Sequence, residues 1–516
     1  MHHALLISEL CGQICSLLDQ ASLALLARTC SALRDSALDE LWKDLYTLHP
    51  FLYLLSQDPC DNSDSGMTSV RRPSAEEWET LRKYAARTRS LYMCIIEDPP
   101  ITVDRFLALS NPPGAIPLFP NLRTLAWYPS NHQEMLPFLR LLCGPSITSL
   151  SAEFAIDPAS LSMLASLGTL CPNVSDISIS AANAVLTDDM TVALSTSICQ
   201  WHLLKEVACD DLSISAMEHL SQTRGLESLT VFASQLVSSF TRGKEVREKS
   251  FARLRHLHLY AGQLPNATAC LEGLHLVLKE FRIDLFDVEE VLSSPHSLWD
   301  FSMALADHCA RDTLAEVDFC IVDSELLSEA AVTMFRDISP LLSFSNLRVV
   351  RFEGLTTLSL DDKDIFELSC AWLRVEELSL TTCVGPTVTA LPTFHSLIHL
   401  TRCRKLKVLS LVINAAKRLE SCFRGFAEHF NLCSDVLREL RLGNSPVESP
   451  IYVARVLGDL YPSLQSVDLS VWNKGPLNHL PRRALHDLWC IVNCELRGLK
   501  AEKGQGDLGE YRATFL

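Results

Sequence analysis

The sequence predicts an α/β chain in which a short N-terminal unit of three helices is followed by an irregular solenoid of strand–helix repeats, closing into a horseshoe. Three observations carry this expectation. Residues 5–46 hold apolar side chains at helical spacing in three short runs. From residue 119 an apolar residue is followed by others at +3 and +5, thirteen times. The first members are Leu122, Ile147, Val174, Leu204, Leu226, Leu254, Leu278, Leu314, Leu347, Val375, Leu406, Leu437 and Leu464. Between these sets lie helix-like runs such as 188–201, 213–223 and 452–460, which would pack on the outer side.

The N-terminal runs are Leu6, Leu10, Ile14, Leu17 and Leu18, then Leu23, Leu26, Ala27 and Cys30, then Leu38, Leu41, Trp42 and Leu45. Asp19 and Ser22 separate the first two runs and offer side-chain oxygens to orphan amides, and Pro50 closes the third. Forty-odd residues bury little apolar area, and units below roughly 70 residues usually need a staple, a metal or a partner. No staple is visible. The unit is therefore expected to leave an apolar face for another protein's helices.

These residues resemble the F-box, with the likeness strongest to fungal F-box proteins that carry leucine-rich repeats. The resemblance lies in Leu6-Ile7-Ser8-Glu9-Leu10 opening the first helix, Ile14 to Leu18 ending at Asp19, Ser22-Leu23 starting the second, Arg28-Thr29-Cys30 closing it, and Leu41-Trp42-Lys43 ending the third. The sequence departs from the pattern where Ile7-Ser8 replaces the opening Leu-Pro and where Leu33 occupies the region of a usual Trp. The resemblance implies docking on a Skp-type adaptor, and through it on a cullin-RING complex. The residues it assigns to the adaptor are Leu6, Ile7, Leu10, Ile14, Leu17, Leu18, Leu23, Leu26, Cys30, Leu41 and Trp42.

The 516 residues carry a formal net charge of -17, which argues against nucleic acid or an anionic membrane as the main partner. A basic protein partner fits better. The chain has no apolar run of spanning length and no signal core, so an intracellular setting, cytoplasmic or nuclear, is expected. Nineteen Cys without CxxC pairs read as small buried hydrophobes in a reducing compartment. The sequons at Asn173 and Asn266 are then chance matches.

In chain order, the F-box spans 1–55 and a polar Ser/Asp/Gly/Pro-rich linker 56–73. A helical connector, opened by the capping box at Ser74, covers 74–118. The repeats fill 119–475, and a C-terminal cap and tail follow over 476–516, with the Gly-rich end after Lys503 frayed. The first members of successive sets lie 22 to 36 residues apart. Leucine-rich repeats recur at roughly 20 to 29. The Asn or Cys that ties neighbouring turns in such repeats survives only at Cys383 and Asn414, so the repeats are irregular.

No Walker loop, dinucleotide fingerprint, GxSxG, HExxH or zinc-spaced Cys/His set is present, so neither an enzyme nor a cofactor is expected. His256, His258 and Tyr260 share one strand face by their period of two, with Glu280, Arg282 and Asp284 beside them. Arg282 opposes a cation there, which favours partner binding over a metal. With the +0, +3 and +5 residues inward, those at +2, +4 and +6 face the concave surface. Twelve of these 39 positions are acidic, three are Arg and none is Lys. The expectation is a protein target with a basic segment, contacted by Tyr128, Phe232, His256, His258, Tyr260, Glu280, Arg282, Asp284, Glu316, Asp318, Arg351 and Glu353. The chain would then be a non-catalytic substrate receptor of an SCF-type ubiquitin ligase. The alternative is an interaction scaffold without ligase coupling.

Overall fold

The computed structural model describes residues 7–55, 73–93, 117–128, 132–181, 187–233, 251–272, 274–286, 297–321, 332–354, 358–380, 390–419, 433–470 and 480–513, with Leu109 and Val388. These fall into two compact units, Met1–Glu227 and Ser228–Leu516.

The first unit opens with three helices, α1 Ser8–Cys15, α2 Gln20–Thr29 and α3 Arg34–Leu41. Asp19 caps α2 by accepting from the Ser22 amide at 2.7 Å, while Ser22 lies inside that helix. Their core is small. Cys15, Leu23 and Ala37 are buried, and Leu26, Ala27 and Leu41 pack against them. The third helix ends at Leu41, earlier than its apolar run suggests, because Leu45 belongs to a two-residue strand, β1 Asp44–Leu45. Pro50 then opens a fourth helix, α4 His49–Leu55, where its missing N–H would be unpaired anyway.

The connector over 74–118 is not helical throughout. After α5 Ala75–Ala85, whose Ser74 and Glu77 form a capping box, comes a strand, β2 Ser90–Met93. It pairs in parallel with β1 on one side and with β3 Thr124–Trp127 on the other. β4 Ser149–Phe154, β5 Asp176–Ala181 and β6 Glu206–Cys209 follow, each parallel to the one before. Helices such as Pro158–Leu170 and Asp188–Ile198 make the crossovers that parallel pairing demands.

The second unit continues the same logic. The strands of its main sheet are β7 Ser228–Phe232, β8 His256–Ala261, β9 Glu280–Leu285, β10 Glu316–Ile321, β11 Val349–Glu353, β12 Glu377–Ser379, β13 Val408–Ser410 and β14 Glu439–Arg441. From β8 onward each pairs in parallel with its predecessor. Of the 39 members of the thirteen apolar sets, all are buried except Leu469, which is half-buried. Those residues make the core of each unit. Pairs of consecutive amides share one carbonyl of the preceding segment, as Ala315 and Glu316 do with Lys279 O and Arg348 and Val349 do with Ala315 O. A second tie was not foreseen from sequence. Asn121, Asn173 and Asn346 donate side-chain N–H groups to Ala86 O, Pro145 O and Asp312 O, 28 to 35 residues upstream. Asn414 instead accepts from Ala416 N in its own turn, and Cys383 lies outside the described residues.

β11 runs into Gly354, whose φ is +80° and where a Cβ would lie 2.5 Å from Ile321 O. Only glycine fits there, and it fixes where Glu353 sits. The last segment is closed by helix Leu480–Ala513, which extends past the expected fraying point near Lys503. Its Trp489 donates to Ser445 O at 3.1 Å, and the Asn493 amide meets both the N–H and the C=O of Val467.

Candidate functional site

Two surfaces stand out, one in each unit. In α1 the two cysteines, Cys11 and Cys15, point inward while the larger apolar side chains point out. Ile7, Leu10, Ile14, Leu17 and Leu18 recur at i, i+3 and i+4 spacing and are all exposed, Leu17 at 86%. Leu25 on α2 is exposed at 61%. A helix that buries thiols and exposes leucines is built the reverse of an isolated amphipathic helix. Scattered exposed leucines need no explanation, but a stripe along one helix and the turns that flank it marks an interaction surface.

The match to known families falls on this stretch. Residues 8–48 match the F-box-like family model. Domains of this kind bind Skp1-type adaptors, and they generally serve non-catalytic substrate-adaptor subunits of ubiquitin ligases. No curated protein matches the chain. The match covers the three helices and β1, so the F-box-like segment includes the first strand of the parallel sheet.

The joint behind it is well built. Trp42 stacks on Tyr84 of α5 at 4.6 Å between ring centroids and meets Phe51 edge-on at 5.1 Å. Arg87 clamps α3 from below, with Nη2 at 2.8 Å from Asp35 Oδ1 and Nη1 on the Asp39 carboxylate. Lys43 O accepts from both Arg89 N and Ser90 N. Of the residues expected to meet an adaptor, Leu23, Leu26 and Leu41 therefore belong to the core and Trp42 to the joint. Cys30 is half-buried, and Leu6 lies outside the described residues. Leu25 was overlooked because periodicity read from Leu23 and Leu26 places it off their face.

The second surface is the strand face opposite the buried sets in the second unit. In-register pairing lines its residues into rows. One row runs Ser228, His256, Glu280, Glu316, Val349, Glu377; the next Thr230, His258, Arg282, Asp318, Arg351, Ser379; the third Phe232, Tyr260, Asp284, Cys320, Glu353. The middle row is held by ion pairs. Arg282 Nε lies 3.0 Å from Asp284 Oδ1 and Nη1 3.9 Å from Asp318, while Arg351 reaches Asp318 at 3.7 Å and Glu377 at 2.6 Å. His258 Nε2 is 3.0 Å from Asp284 Oδ2, and His256 Nδ1 2.9 Å from Glu280. Further along, Arg441 pairs with Glu439 and Asp468.

These contacts sort the carboxyls. Burial pushes Asp284 up, but hydrogen bonds from His258 and Arg282 outweigh it and hold the group below its ordinary value. Burial first, and then the adjacent Glu280, raise Glu316. Burial also raises Asp318 despite Arg282 and Arg351, and pushes the Cys320 thiol up to about 11, helped by Asp284 and Glu353. Glu316 and Glu353 have no ion-pair partner among the described residues.

At the C-terminal ends of β7 to β9 the rings gather. Phe286 stacks on Phe232 at 6.2 Å and on Tyr260 at 5.7 Å, and His258 tilts against Tyr260 at 4.3 Å. Phe286 is 41% exposed and lies one residue past the strand, beyond the positions that sequence spacing singles out. Tyr128, expected with this group, belongs to the first unit, where its hydroxyl hydrogen-bonds Ser151. The remaining expected target residues, from Phe232 to Glu353, all lie on this one face.

Proposed function

We propose that the chain is the substrate-recognition subunit of a cullin-RING ubiquitin ligase of the SCF type. The single observation that carries this is the exposed stripe from Ile7 to Leu18 within an F-box-like match. In this reading the stripe and Leu25 bury themselves on a Skp-type adaptor, which brings the chain to a cullin and its RING partner. The buried sets at nearly regular spacing, twelve of the thirteen with their +3 residue on a strand of the parallel sheet, support reading the remainder as a leucine-rich-repeat solenoid. Its polar strand face would hold a protein target, with a basic segment opposite the carboxylates. The chain would contribute no catalytic group, and ubiquitination would be accelerated by proximity alone.

The test is capture of the adaptor and the cullin together. Leu17→Asp and Ile14→Asp place a charge where the interface would exclude water, so adaptor capture should fall by roughly a hundredfold or more. The melting transition should not move, because both side chains face solvent in the free chain. Leu26→Asp is the wrong probe, since it would break the small core itself. Undiminished capture by both variants would overturn the reading, and capture of the adaptor without a cullin would favour a scaffold lacking ligase coupling.

A further inference from the structure

The ion pairs of the second unit divide its strand face into a closed middle and two open ends. Arg282, Arg351 and Arg441 are each shared between carboxylates, so Asp284, Asp318, Glu377 and Asp468 already have their cations. Among the described residues Glu280 and Glu316 have no Arg or Lys salt bridge. They are opposed residues on neighbouring strands, with only a histidine against Glu280, and after burial it is Glu280 that raises the cost of charging Glu316. At the far end of the same strands the stacked rings of Phe232, Tyr260 and Phe286 form an apolar shelf open to solvent. Between the two ends the middle row offers no uncompensated charge and no apolar area.

Resting on the reading of this face as the target-holding surface, we infer that it binds an extended protein segment in which one Arg or Lys and one large apolar side chain stand four to six positions apart. Register fixes the interval. Tyr260 is level with Asp284, four residues along β9 from Glu280, and Phe286 is six along. At a strand rise of about 3.3 Å per residue that is roughly 13 to 20 Å, and an extended guest laid along the strands covers it in the same number of its own residues. Charge chooses the cationic partner: Glu280 and Glu316 have no Arg or Lys salt bridge among the described residues, whereas an acidic guest would add to their repulsion. The rings at the other end supply the apolar anchor, where buried aromatic contacts contribute most to such interfaces.

The experiment uses the full chain and fluorescent 14-residue Gly/Ser peptides carrying a single Arg and a single Trp, set one, five or ten positions apart, with a further peptide in which Glu replaces Arg. Fluorescence anisotropy should show the five-position peptide binding at least tenfold tighter than the others. Glu280→Gln with Glu316→Gln, or Phe286→Ala, should each remove that advantage while the melting transition stays in place. Equal binding at every interval, no binding by any peptide, or an advantage that survives both sets of changes would overturn the inference. Adaptor capture is measured in parallel: wild-type capture with failed peptide selectivity sinks the inference alone, whereas loss of capture only in Leu17→Asp, with selectivity kept, leaves both standing. Selectivity present in a chain that captures no adaptor would separate this face from ligase assembly.

Discussion

At the scale of single residues, the strand face shows two carboxyls of the same chemical kind with opposite effects on stability. Asp284, buried and bonded to His258 and Arg282, is held below its ordinary value, so its contribution is present above the unfolded pKa of about 3.9 and is lost as pH falls through the lower folded value. Glu316 is raised instead, so at neutral pH it weighs against the fold, and that penalty is lost as pH falls through its raised folded value toward the unfolded value of about 4.3. Asp284→Asn should therefore destabilise at pH 7 by about 1–3 kcal/mol, with the difference shrinking toward pH 3. Glu316→Gln should raise the melting temperature at pH 7 and have no effect at pH 4 or below. Thermal melts across that range check both, and a stabilising Asp284→Asn would contradict the assignment. The sequence made the acid excess of the face legible, but it treated each carboxylate as free. Which Arg lies beside which Asp depends on the register between strands some 30 residues apart, and spacing within one strand does not carry it.

At the scale of elements, the buried sets were legible because three apolar residues at +0, +3 and +5 leave a strand one way to turn. The helices were legible from their caps, as at Asp19 and Ser74. β2 was not, and the reason is a single side chain. Thr88, Leu91 and Met93 stand at the same +0, +3 and +5 spacing and are all buried, yet the first is Thr, so the pattern does not register as apolar. The Thr88 hydroxyl has no hydrogen-bond partner among the described residues in its buried position. An unsatisfied buried hydroxyl costs more than an apolar group of the same shape. Thr88→Val should accordingly stabilise the first unit by about 1 kcal/mol. Chemical denaturation reads this directly, and a loss of stability would show that the hydroxyl is satisfied after all. β1 was hidden for a different reason: two residues are too few for any periodicity.

At the scale of the whole chain, sequence suggested a docking module tied to the repeats by a helical connector, whereas the structure of the first unit splices the two. The Trp42–Tyr84 stack, the Arg87 clamp and the pairing of β1 with β2 leave no hinge between α3 and the sheet. The capping box at Ser74 could be read from residue types, and the polar linker expected over 56–73 lies outside the described residues up to 72, but this splice depends on contacts between residues about 40 to 50 apart. It has a consequence for anyone who cuts the chain. With residues 1–55 removed, β2 would become a bare sheet margin, its N–H and C=O groups facing outward with no strand to meet them. Such margins recruit one another. The truncated chain should self-associate through Ser90–Met93, sedimenting as dimers and larger species at concentrations where the full chain is monomeric, and Leu91→Pro should suppress that assembly by removing one donor and bending the strand. A truncated chain that sediments as a monomer would show that something other than β1 shields β2. Thus β1, two residues long, would guard the solubility of the sheet it begins.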